Sequence, residues 1–243
     1  VPERAAESLL LVVLQDVVLG VITVGFFWIG VSVARGLGRP ARYALAPLGL
    51  SKPDRGYLVG AGVGLLFGLG ALVASLAISP LSAYVLQRLG YSTESNIQGP
   101  LMEGLSAWIG ESPAMATPLV VAVVVLFGPA VEELFFRGAI FGGLYRLGLL
   151  FSRASGDKTG KKSSGAGEKV SFAVSALISS ALFALAHLEP TILVVLFVLA
   201  IALCALYRRM GSLLPCFVAH ATFNSFAVLL IILNGLGALP TLP

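Results

Sequence analysis

Two adjacent carboxylates and an arginine, Glu132, Glu133 and Arg137, stand in the otherwise apolar run VVVLFGPAVEELFFRGAIFGGL. Each charge costs roughly 2.5 to 3.5 kcal/mol at the centre of a membrane helix on insertion scales, so none of them belongs against lipid. Helix positions four apart share a face, whereas adjacent ones point about 100° apart. Glu133 and Arg137 can therefore pair, which leaves Glu132 for another partner. Alone, such a triad could simply hold helices together by buried ion pairing. Two further groups weigh against that reading. His187 closes an apolar run in FALAH, with Phe183 one turn earlier on the same face and Pro190 ending the helix. His220 and Asn224 lie one turn apart in HATFN, again among apolar residues, and a buried His and Asn on one face both need partners. If the helix that Glu132 opens and the helix that His187 closes are antiparallel neighbours, the two residues lie at one depth and can face one pocket. Cys216, four residues before His220, makes a Cys and His metal pair geometrically feasible, although a buried Cys is commonly just a small apolar residue.

These residues must be positioned by membrane helices. Hydrophobic residues make up 57% of the 243 and charged ones only 12%, and mean hydropathy is +0.95, far too apolar for a chain with a wetted surface. The apolar residues come in runs long enough to cross about 30 Å of hydrocarbon. Expected spans are 9–34, 56–79, 114–127, a helix that begins just before Glu132 and runs to 151, 170–187, 191–207 and 213–233, which gives an all-α, polytopic transmembrane bundle of about seven membrane helices, with eight as the other count. The split of 114–151 follows from its length, about 55 Å as one straight helix, and from Gly128 and Pro129 at its centre. In the second span Gly60, Gly64 and Gly68 form a small-residue stripe suited to close helix packing.

Between the spans, Arg35, Arg39, Arg42, Lys52 and Arg55, broken by Pro40, Pro47 and Pro53, form a basic linker expected in the cytoplasm. From Pro80 to Pro113 the sequence is mixed, with Arg88, Glu94, Glu103 and Glu111, and reads as an interfacial or soluble excursion with short amphipathic helices. The chain is expected to form a single membrane-embedded domain over 1–243: N-terminal helices and the excursion in 1–113, then a catalytic helix core in 114–234. Within that core, 152–169, which holds Lys158, Lys161, Lys162 and Lys169, is an exposed basic loop. The net charge of +4 resides in such loops and suits anionic lipid headgroups; there is no basic face with interleaved aromatics, so no nucleic-acid partner is expected. Neither cysteine looks like part of a disulfide framework. Val1 in place of Met leads to the expectation that the natural start is missing, and targeting information is not readable here.

The motifs Glu132-Glu133-Leu134-Phe135-Phe136-Arg137, Phe183 to His187, and His220 to Asn224 follow one another on separate spans. In this order, EExxxR, FxxxH and HxxxN, they resemble the CPBP intramembrane proteases, which include the type II CAAX prenyl endopeptidases and bacteriocin-processing or immunity-associated proteins. The resemblance covers about the second half of the chain. It implies peptide hydrolysis near the membrane, with Glu132 and His187 activating water and with His220 and Asn224 donating to the oxyanion. Glu133, Arg137 and Phe183 would support them. The substrate would be a peptide or a lipidated protein, such as a prenylated CAAX protein, met among membrane lipids. No cofactor is favoured; zinc is the alternative, held by Glu132, His187 and His220, although no HExxH spacing is present.

Two other classes remain in the sequence. Buried Glu, Arg and His also build proton relays in transporters, and a helix broken at Gly128 and Pro129 suits such a carrier, but no second half echoes the first. A non-catalytic immunity-type membrane protein would keep the same helices. Topology poses a conflict: both basic loops should lie on one side, which demands an odd number of crossings in 114–151, whereas the Glu132 and His187 alignment prefers a hairpin there.

Overall fold

The computed structural model describes residues 2–36, 48–93, 95, 98–154 and 165–239. Arg39, Pro40, Arg42 and Pro47 of the basic linker, Glu94, and Lys158, Lys161 and Lys162 of the basic loop lie outside the described residues. Seven helices and no strand are found among the described residues: α1 (Pro2–Gly36), α2 (Tyr57–Arg88), α3 (Gln98–Glu111), α4 (113–154), α5 (Gly165–Ala186), α6 (Leu193–Met210) and α7 (Leu214–Gly235). All but α3 are long and apolar enough to cross a membrane. Leu58, Leu66, Val73 and Leu76 of α2 point outward, as do Leu10, Val21 and Trp28 of α1. A surface of that kind is stable against lipid, and helices are the form in which backbone groups satisfy one another there. The protein is an integral, multi-pass membrane protein.

The total of seven is as the sequence implies, but its make-up differs. The stretches on either side of Gly128 and Pro129 form one continuous helix, α4, and α3 supplies the seventh. Two windows of α4, Val121–Phe127 and Glu133–Phe141, are widened to π-helical spacing. At the first, the Gly128 N–H reaches back five residues to the Val123 carbonyl. In that spacing the group opposite position 129 is the Val124 carbonyl, and Pro129 has no N–H to offer it. Asn224 Nδ2 of α7 donates to Val124 O at 3.0 Å. In the second window Ser179 Oγ of α5 donates to Phe136 O at 2.7 Å. Neighbouring side chains thus meet carbonyls in both widened windows, and the proline does not break the helix.

A single crossing by α4 also removes the topological conflict, because one is an odd number. The basic segments meet at one end of the bundle. Ser51 Oγ donates to Gly211 O at 2.7 Å and the Leu213 N–H to Gly49 O at 2.9 Å, which ties the α1–α2 linker to the α6–α7 turn. Arg208 pairs with Glu168 of α5 at 2.6 Å. Lys52, Arg55, Arg208 and Arg209 therefore share an end.

The glycine stripe brings α2 against α7. A Cβ on Gly64 would lie 2.5 Å from Pro215 O, and one on Gly68 would lie 2.6 Å from Ala219 O, so only glycine permits this approach; Gly60 packs on Pro53. α2 runs on through Pro80 to Arg88, so the expected excursion is shorter than the sequence suggests. Nor is α3 merely interfacial. Its Leu105 and Ile109 are fully buried with Leu9, Val120, Val228 and Ile231, closing the core at the end away from the basic loops.

Candidate active site

Glu133 and Arg137 sit one turn apart in the second widened window of α4, and their side chains pair at 2.9 Å with at most 1% exposure. Glu133 Oε1 also meets Nδ1 of His220 at 2.9 Å. A carboxylate only accepts, so Nδ1 carries the proton and donates it. That bond turns Nε2 of His220 toward Glu132, 3.7 Å from its Oε2. The two carboxylates that adjoin in sequence therefore bracket one imidazole. α2 holds α7 through the glycine contacts, and these set how far His220 reaches toward α4.

Phe183 of α5 is the wedge of the site. Its ring lies 5.6 Å from that of His220 and 4.8 Å from that of His187, and the Arg137 guanidinium sits 4.3 Å from its centroid. A desolvated guanidinium over an aromatic face gains cation–π stabilisation, which accounts for a phenylalanine at this position. His187 follows the end of α5, and its Nδ1 donates to Phe183 O at 2.8 Å, because a carbonyl can only accept. In the neutral ring Nε2 then keeps a lone pair.

Of the two histidines, His220 is the one that reaches Glu132; among the described residues no ion-pair contact joins Glu132 to His187. Asn224, one turn beyond His220, is engaged with Val124 O through one amide hydrogen and retains a second. Cys216 does not join His220; its thiol donates to Leu203 O at 3.4 Å. The zinc alternative fits poorly, since among the described residues no three His, Cys, Asp or Glu side chains are disposed to hold a metal ion.

Two acidic residues of this region do not stand out in the sequence motifs. Asp16, on α1, is 1% exposed, and neither of its oxygens meets a hydrogen-bond donor among the described residues. The available signal is a charge inside the apolar run LLLVVLQDVVLG. Glu189, two residues after His187, is also buried; it accepts from Ser95 Oγ at 2.8 Å, Thr191 Oγ1 at 2.9 Å and the Gln98 N–H at 3.3 Å. It anchors the start of α3 beside the turn that carries His187, a tertiary role with no local sequence signature.

Comparison with known proteins meets this geometry at its centre. Residues 114–226, which hold Glu132, Glu133, Arg137, Phe183, His187, His220 and Asn224, match the family described as type II CAAX prenyl endopeptidase Rce1-like. This part of the chain is similar to that family. A relative in Bacillus subtilis (strain 168), named "Putative membrane peptidase YdiL", is 29% identical over 115 residues, 47% of this chain and 38% of that protein. The chain thus aligns with well under half of its relative's length. No solved structure gives a significant match. The matched family is one of membrane proteases, and residues 1–113 fall outside the match.

Proposed function

We propose that the protein is an intramembrane endopeptidase in which Glu132 is the general base. The observation that carries this reading is the bracketed imidazole: Glu132 faces Nε2 of a histidine whose other nitrogen is fixed by Glu133. A water touching both Glu132 and Nε2 fits a 3.7 Å separation, since each bond needs about 2.8 Å. Glu132 takes a proton from that water as its oxygen attacks the peptide carbonyl, and returns the proton to the departing amine. Negative charge then develops on the carbonyl oxygen. Glu133 accepts from Nδ1–H and so holds the His220 ring with Nε2 turned to the site, as the Asp of a Ser-His-Asp triad orients its histidine, and a proton on Nε2 would be donated to that oxyanion. The second amide hydrogen of Asn224 is the other donor on this helix face. His187, with a free Nε2, faces the site from the far side of Phe183 and assists the base. The substrate is a membrane peptide, with a lipidated CAAX-type peptide the first to test.

Purified protein reconstituted in liposomes, given a farnesylated CAAX peptide and a set of unlipidated membrane peptides, should cleave at least one of them. Glu132→Gln should lower kcat about 10³-fold while the protein stays folded. Equal cleavage by both forms would remove Glu132 from the role of base.

A further inference from the structure

Asp16 stands in the part of the chain outside the family match, yet its carboxyl group lies against the helix that carries Glu132. A Cβ on Gly128 would be 3.2 Å from Asp16 Oδ2, so the glycine opens a notch into which the acid fits. One turn further along both helices, a Cβ on Gly20 would lie 3.8 Å from Val131. α1 and α4 thus run side by side in the same direction, and Asp16 sits at the level of Gly128. Glu132 is one turn above Gly128 on the same face, a rise of about 6 Å along the helix axis. Both Asp16 oxygens and Oε2 of Glu132 are buried without a hydrogen-bond donor among the described residues. The two groups are close enough to interact electrostatically. Buried polar atoms left without a protein partner are where proteins hold internal water, which typically makes about three hydrogen bonds.

We propose that Asp16 is a positioning residue of this site, its carboxyl group holding, together with that of Glu132, the water that is to be activated. The inference rests on the peptidase reading of Glu132 and adds to it the source of order for the nucleophile at mid-membrane. Asn224 and Val124 lie one turn below, so a line of polar groups ascends α4 from Val124 past Gly128 to Glu132, and Asp16 is its middle member.

The test compares Asp16→Leu, Asp16→Asn and Gly128→Ala in the full-length protein in liposomes, with cleavage of a farnesylated CAAX peptide as the activity. With the water displaced, Asp16→Leu should lower kcat about 10²-fold and leave KM within about twofold. Its Tm should be unchanged or raised, because an acid without a protein partner is removed from an apolar contact. Asp16→Asn keeps an oxygen acceptor and should restore most of the lost kcat. Gly128→Ala fills the notch and should lower kcat in the same way as Asp16→Leu. Wild-type kcat in Asp16→Leu, or a fall in kcat that tracks a lowered Tm and is not restored by Asn, would overturn the proposal.

A second measurement needs no cleavage. Thermal unfolding of Asp16→Leu, Glu132→Leu and the double variant should give Tm shifts that do not add, since both groups share one water. Additive shifts would overturn the Asp16 proposal even if Glu132 proves to be the base. Full activity in Glu132→Gln would instead overturn the base while leaving coupled Tm shifts in place.

Discussion

α7 has two working faces, and they are built on opposite principles. Toward α2 it offers backbone: Pro215 O and Ala219 O lie where a Cβ on Gly64 or Gly68 would be, and no charged group takes part. Toward α4 it offers His220 and Asn224, each held by a hydrogen bond to a group of that helix. One face is determined by shape, the other by chemistry. The difference teaches that precision on the second face is inherited from the first, because a helix fixed backbone to backbone on one side has little freedom to shift its imidazole on the other.

The largest effect should come from breaking the polar face at its ion pair. Arg137→Met leaves Glu133 buried beside His220 without its cation, and loss of one partner of a buried pair costs about 3–5 kcal/mol. Thermal unfolding in detergent should show a large fall in Tm, and Glu133→Gln in the same protein should recover much of it. If the single variant unfolds like the wild type, the pair does not organise the site.

Next in size is an attack on the shape face. Gly64→Ala places a methyl 2.5 Å from Pro215 O and 2.9 Å from Val218 Cβ, so α2 and α7 must separate. Overpacking of this kind costs about 1–3 kcal/mol. Because His220 moves with α7, kcat for any substrate cleaved should fall beyond what the loss of folded protein explains. Gly62, where an added methyl would meet nothing within 4 Å, is the control, and Gly62→Ala should leave both Tm and kcat near wild type. Equal behaviour of the two variants would mean that the faces are independent.

Much of this comparison can be read in the sequence. The glycine spacing announces a close helix contact, and the motifs from Glu132 to Asn224 announce a polar seam, because charge and amide in apolar runs are expensive enough to need a reason. Which histidine meets Glu132 is not legible, since it depends on the rotation of α5 and α7 about their axes. Asp16 is hidden for a related reason: a lone acid in an apolar span acquires meaning only when Gly128 of another helix is found beside it. The continuity of α4 is hidden most deeply. Pro129 is a helix breaker by every local rule, and the group that compensates for it, Asn224, lies 95 residues later in the chain.

That compensation yields the smallest and most discriminating prediction. Asn224→Leu leaves Val124 O without its donor at 3.0 Å, and hydrogen bonds between membrane helices average about 0.6 kcal/mol. Pro129→Ala should offset the loss, because alanine restores an N–H opposite the Val124 carbonyl in the widened window. The double variant should thus regain the wild-type Tm. Its activity separates the two roles of Asn224. If the amide serves only α4, cleavage returns together with stability. If its second hydrogen also meets the oxyanion, cleavage stays about 10²-fold low in a protein that is as stable as the wild type, which is the result the proposed mechanism requires.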